Sequence, residues 1–170
     1  MVPSAVEETL AAGPPADSAV ALALDKARSV AARLRQGVVL GADTIVVIDG
    51  VPLGKPTGPD DARAMLRRLS GREHEVITGV AVVDGATGRW QAIAVVSQVT
   101  MAEYGEAEIA AYVTTGEPLD KAGAYAIQGR GRALVAGLRG SFSNVVGLPL
   151  EETARLLAAF GVAVSAPPAR

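Results

Sequence analysis

The 170 residues are 49% hydrophobic and 20% charged, with a formal net charge of −2 and no cysteine. That length matches one ordinary domain, a size at which folding buries about 70% of the unfolded chain's surface, and the lack of Cys excludes disulfides and Cys-ligated zinc or iron–sulfur centres. A pI ≈ 5.4 and 4% aromatic residues argue against a basic, base-stacking nucleic-acid platform, and no apolar run reaches the ~20 residues that span a bilayer, so the expectation is a soluble, cytoplasmic, single-domain protein.

Residues 1–16 are unpatterned and read as an irregular lead-in. Asp17 or Ser18 caps a helix to about Gln36, with Val20, Leu24, Ala27, Ala31 and Leu34 as its apolar stripe and Lys26, Ser29 and Arg33 on its polar side. Val38–Ile48 is an almost continuous apolar, β-rich run, the pattern of a strand buried on both faces, and Asp49-Gly50 ends it with a turn signal. Pro59-Asp60-Asp61 opens a helix carrying Ala62, Met65, Leu66 and Leu69 on one face, with Arg67-Arg68 complementing the dipole at its end. His74–Val83 and Arg89–Thr100 read as a hairpin joined by residues 84–88. A short helix follows near Glu106–Thr114. The Gly-rich stretch Lys121–Ser143 mixes loops with a short strand around Ala133–Ala136. A closing helix over Pro149–Phe160 points Leu150, Ala154 and Leu157 inward, and residues 162–170 form a frayed Ala/Pro tail. The class is α/β or α+β, one domain over 1–170.

Three segments can carry chemistry. Asp43 sits mid-run in VVLGADTIVVI, where an isolated ionised carboxylate costs several kcal/mol after relaxation. It must be paired, protonated, or at a cleft lip beside a cation. Both a satisfied structural Asp and an acid that binds metal or activates water remain open. Gly41 beside it permits close approach of backbone or ligand. Lys55, between Gly54 and Pro56, is on a rigid turn that suits either an ordinary surface lysine or a phosphate contact, and no Walker A spacing surrounds it. In Asp120–Gly129, small residues let a ligand lie against the backbone while Lys121 offers charge and Gln128 a donor and an acceptor; ordinary turn polarity is the competing reading. Lys26, Lys55 and Lys121 are the only lysines against thirteen arginines, Asn144 is the only Asn and His74 the only His. His74 reads as a structural hydrogen-bonder, and no Ser/His/Asp or two-His metal spacing is present.

The strings GADTIVVIDG (41–50), LGKP (53–56), MLRRLSGREHEVITGVA (65–81), GEPLDKAGAYAIQG (116–129) and GSFSNVVGLPLEE (140–152), in this order, closely resemble the Maf proteins, and the match runs from about Pro3 to Gly161. The resemblance implies a mixed sheet with flanking helices and a central cleft, like that of the inosine-triphosphate pyrophosphatases, in chains that often pair as homodimers. It implies hydrolysis of a nucleoside triphosphate to the monophosphate and pyrophosphate with a divalent metal, Mg²⁺ or Mn²⁺. By position, Asp43 matches the general base, Glu8 an acid that helps hold the metal, and Lys26, Lys55 and Gln128 polar residues of the cleft; Lys121 lies in the matching DKAGAY string. Thr44 and Gln128 match the branch acting on dTTP and UTP rather than on 7-methyl-GTP. Neither a nucleic-acid polymer nor a membrane is an expected partner.

One departure stands out. Family members begin with a strand and an S-x-S-P-R-R loop that grips phosphates, and no such string occurs here. Met1-Val2-Pro3-Ser4 aligns after that element, so the expectation is an N-terminally truncated member that binds nucleotide weakly. The alternative is a non-catalytic nucleotide-binding or regulatory protein linked to cell division.

Overall fold

The computed structural model describes residues 13–164. The lead-in up to residue 12, with Glu8, and the end of the tail lie outside them. Five strands, β1 (Val38–Ile48), β2 (Val51–Leu53), β3 (Glu73–Asp84), β4 (Trp90–Met101) and β5 (Val135–Arg139), form one sheet in the order β2-β1-β3-β4-β5. All four pairings are antiparallel. Asp49 and Gly50 both take positive φ, 54° and 73°, the geometry of the tight turn that an Asp-Gly pair favours, and they fold β2 back onto β1.

Helix α1 (Pro15–Leu34) covers one face of the sheet. Of the predicted stripe, Leu24, Ala27 and Ala31 are buried, Val20 is half-buried and Leu34 is 49% exposed, while Ala19, Leu22, Ala23 and Val30 widen the inward side. Size decides this. A Cβ on Gly41 of β1 would stand 2.3 Å from the Ala23 carbonyl oxygen, and one on Gly79 of β3 would stand 2.1 Å from that of Ala19. The glycines and alanines together let the helix lie directly on the sheet. The close approach that Gly41 permits is therefore that of a helix backbone.

On the opposite face lie α2 (Pro59–Leu69), α3 (Glu106–Val113), α4 (Phe142–Val146) and α5 (Leu150–Ala159). Helix α2 has Pro at its first position, acids in its first turn and arginines in its last, and buries Ala62, Leu66 and Leu69 as its periodicity predicts. It packs with α3 into a core around Ile48, Val76, Val99 and Met101, while α5 seals a second cluster on Val80 and Val82. Of the residues expected inward on α5, Leu157 packs against that cluster and Ala154 is half-buried, but Leu150 is 59% exposed, and Thr153 and Leu156 are the buried positions. Nor is β1 buried on both faces throughout. Buried residues are Gly41, under α1, and Ile45–Ile48; β2 pairs with Val46–Ile48 and leaves the Val38–Ile45 edge with a single strand neighbour among the described residues. No helix among the described residues is long and apolar enough to cross a membrane.

Candidate active site

Of the predicted residues, Lys26, Asp43, Thr44, Lys55 and Lys121 gather around the stretch of β1 that has one strand neighbour among the described residues. Successive strand side chains point to opposite faces, so Asp43 turns toward α1 and Thr44 away from it. Lys26, 17 residues upstream, donates from Nζ to Asp43 Oδ1 at 2.5 Å, with the two side chains 20% and 10% exposed. Lys26 stands off the apolar stripe of α1, as its spacing predicts, and its side chain reaches over the strand edge to the carboxylate. Of the readings open for Asp43, the structure realises a paired acid at the lip of a cavity.

Two cavities meet there. One, of about 190 Å³, is lined by Leu22, Asp43, Thr44, Leu53, Lys55 and Ala122. The other, of about 170 Å³, has Val46, Val76, Tyr125, Ile127 and Val145 as apolar walls and Lys55, Asp120 and Lys121 among its lining residues. Thr44, Lys55 and Ala122 line both, so a trough passes from one sheet face to the other across the edge of β1. Its far wall is the 120–127 segment, tied to the Lys55 turn by the Gly123 amide donating to the Gly54 carbonyl at 3.0 Å. Gly123 takes φ 70° against Val46, and Ala124, fully buried, takes φ 58°. That left-handed kink costs Ala124 roughly 1–2 kcal/mol and demands the small residues of the DKAGAY string.

Lys121 Nζ donates to Asp120 Oδ1 at 2.5 Å. That bond and charge, with a further contribution from Lys55, hold the Asp120 carboxyl below the ordinary range. Gln128 is not drawn into the trough. It lines a neighbouring cavity with Phe142, Ser143 and Leu150, which shares Val146 and Gly147 with the trough.

Sequence reasoning missed the floor. Between the two apolar clusters runs a band of buried polar groups. Thr44 and Thr78, partners across the β1–β3 ladder, have hydroxyl oxygens 2.9 Å apart. Asn144 of α4 donates from Nδ2 to the Val76 carbonyl at 3.1 Å and to Ser97 Oγ at 2.9 Å. Its being the only Asn was the available signal. His74, 3% exposed, shares a 2.7 Å hydrogen bond with the Tyr125 hydroxyl and meets that ring edge-on, as expected of a structural histidine. Burial pushes its pKa down to about 4 and raises that of Tyr125, so a neutral imidazole backs the aromatic wall.

The family model described as Maf-like protein matches residues 1–160. The chain belongs to the Maf family. Among curated relatives, the dTTP/UTP pyrophosphatase of Moorella thermoacetica is 54% identical over 95% of this chain and 84% of its own length. That of Anaeromyxobacter dehalogenans is 54% identical over 89% and 77%, and that of Symbiobacterium thermophilum 50% identical over 94% and 81%. In this Maf chain the motif blocks GADT, LGKP and DKAGAY, separated in sequence, become the two walls and the edge of one trough.

Proposed function

We propose that this protein is a metal-dependent nucleoside triphosphate pyrophosphatase acting on dTTP and UTP, with Asp43 as its general base. The observation that carries the reading is the Lys26–Asp43 pair at the strand edge, on a trough that Lys55 and Lys121 also line. The substrate names come from relatives sharing about half their residues with this chain.

The residues suit that chemistry. A triphosphate concentrates negative charge, and its hydrolysis is governed by positioning and neutralisation. Lys55, on the rigid Gly-Pro turn where the two cavities join, holds phosphate oxygens between them, and Lys121 adds charge from the opposite wall. Asp43 accepts a proton from the water that attacks the α-phosphorus, and the bond from that phosphorus to the bridging oxygen breaks to release pyrophosphate. Lys26 holds the carboxylate in place through its 2.5 Å contact with Oδ1. Gln128 serves the substrate from the adjoining cavity.

A divalent cation, Mg²⁺ or Mn²⁺, fits this donor set. Among the described residues no group of three or more acidic or histidine side chains forms a cage, whereas Mg²⁺ is commonly held by one or two carboxylates together with substrate phosphates. Asp43 would supply one hard oxygen ligand and Glu8, by resemblance, a second. When bound, the ion neutralises phosphate charge. Under this reading the enzyme works in the cytoplasm, where nucleotides are made and spent, and pairs as a homodimer in the manner the family resemblance implies.

The test is pyrophosphate release from dTTP and UTP with Mg²⁺ or Mn²⁺, with and without chelator. Equal amounts of monophosphate and pyrophosphate, abolished by chelation, are expected. Calorimetric binding without turnover would instead favour the nucleotide-binding regulator.

A further inference from the structure

Gln128 stands outside the trough on a loop that is clasped from behind. Residues 126–131 fold back on the side chain of Glu117, which opens the 3₁₀ turn Glu117–Asp120 after α3. Glu117 Oε1 accepts from the Tyr112 hydroxyl at 2.9 Å and from the Gly131 amide at 3.0 Å. Its Oε2 accepts from the Arg130 amide at 3.1 Å. The Tyr112 hydroxyl in turn accepts from the Ala126 amide at 3.2 Å. One carboxylate and one phenol therefore bond the chain on both sides of Ile127-Gln128-Gly129.

The chain is shaped for this contact. An ionised carboxylate is acceptor-only, with room for about four donors, and three arrive here. Burial works against the charge, but the Gly131 and Arg130 amides, the Tyr112 hydroxyl and the Arg130 charge together hold the Glu117 carboxyl below its ordinary range. Gly129 takes φ 62°, and a Cβ on it would stand 2.9 Å from Glu117 Oε2. A Cβ on Gly131 would collide with the Ala126 carbonyl oxygen and the Tyr112 hydroxyl. The two glycines let the backbone close down on the acid. The clasp itself hangs from the core: Tyr112 is 5% exposed, and the Glu117 amide donates to Thr115 Oγ1 at 3.1 Å, a hydroxyl that donates to the Tyr112 carbonyl at 2.6 Å.

The rest of the wall is anchored by other means. Tyr125 is held by His74, Gly123 by the Lys55 turn, and Ile127 packs into the core. Gln128, by contrast, is exposed and lines the cavity beside the trough, so its place is set by the backbone that carries it. Glu117 is not among the residues lining the trough or that cavity. We infer that Glu117 is a positioning residue of the nucleotide site: with Tyr112 it clasps residues 126–131 and sets where the Gln128 amide meets nucleotide, without touching the nucleotide itself. The inference rests on the reading of Gln128 as a substrate contact and adds what places it.

The experiment is a double-mutant cycle. KM and kcat for dTTP, and affinity for its uncleavable α,β-imido analogue by calorimetry, are measured for wild type, Glu117→Ala, Gln128→Ala and the pair. Losing one hydrogen-bonded contact weakens binding by about three- to tenfold, so each single variant is expected to raise KM and Kd by that factor and to change kcat less. A residue that acts only through Gln128 has nothing further to lose once Gln128 is gone, so the pair is expected to match Gln128→Ala. Tyr112→Phe, which removes one hydroxyl and no other bulk, is expected to repeat part of the effect and carries the cycle if Glu117→Ala does not fold. A merely structural defect lowers the folded fraction, and with it the apparent kcat, while KM stays as it was. That pattern would overturn the inference, as would factors that multiply in the pair or a Gln128→Ala chain that binds like wild type. Each of those results leaves the pyrophosphatase reading standing if wild type releases pyrophosphate from dTTP. Wild type that binds the analogue but does not hydrolyse dTTP overturns that reading instead, and the affinity cycle then decides the inference; wild type that binds neither overturns both.

Discussion

Lys26 and Asp43 meet at 2.5 Å because a helix lies on a strand with no side chain between them. The alanines of α1 seat on Gly41 and Gly79, and the lysine, carried on the rim of that contact, is brought down to Asp43 of β1. Site geometry here is a consequence of packing two layers away from the chemistry.

Gly79→Ala tests that dependence. Its new Cβ would lie 2.1 Å from the Ala19 carbonyl oxygen, and backbone on both sides cannot yield as a flexible side chain can. Overpacking of this kind costs about 1–3 kcal/mol or more, which for a chain of this size lowers Tm by roughly 3–10 °C. Calorimetry should show that loss, and turnover should fall below what the folded fraction explains, since α1 carries Lys26 away with it.

Lys26→Met removes the ammonium from a carboxylate that is only 10% exposed. The expected cost is about 1–3 kcal/mol in chemical denaturation, less than a fully buried pair because the lysine is 20% exposed. Pyrophosphate release should fall at least about tenfold. Wild-type stability and rate together would show the pair to be idle.

His74 sets a pH dependence of stability. Its folded pKa, pushed down to about 4 by burial, lies below the ordinary histidine value of ~6.5. Between those values the unfolded chain binds a proton that the folded chain refuses, so stability falls as pH drops from about 6.5 toward 4, by up to about 3 kcal/mol, and levels off below. Urea melts across that window should show the slope. His74→Gln should flatten it while keeping a partner for the Tyr125 hydroxyl.

Much of the fold was legible because it obeys period and punctuation. The i, i+3, i+4, i+7 face of α2, the Asp-Gly turn and the β3–β4 hairpin all stand where the residues put them. The errors share a cause: hydrophobicity does not report size or neighbours. Val20 and Leu34 outweigh Ala19 and Ala23 on any apolar scale, yet only the alanines fit over glycine. The apolar run of β1 hid that its first half borders a trough, and β5 begins at Val135 rather than Ala133 because residues 129–134 coil into a 3₁₀ turn. Asp43 announced itself as an acid needing a cation. That the cation is Lys26 follows from helix-on-sheet packing, and that Gln128 stands one cavity away follows from where α4 lies. The polar band of Thr44, Thr78 and Asn144 was the least legible, since each member is an ordinary residue until β1, β3 and α4 converge.

The account turns on the carboxylate at the strand edge. The most direct measurement is single-turnover pyrophosphate release from dTTP with Mg²⁺ by wild type and Asp43→Asn, alongside dTTP affinity and Tm for both. A base that takes the proton of the attacking water is worth about 10²–10⁴ in rate. The predicted result is a loss of that size in a variant that still folds and binds nucleotide; an Asp43→Asn protein that releases pyrophosphate as fast as wild type would contradict it.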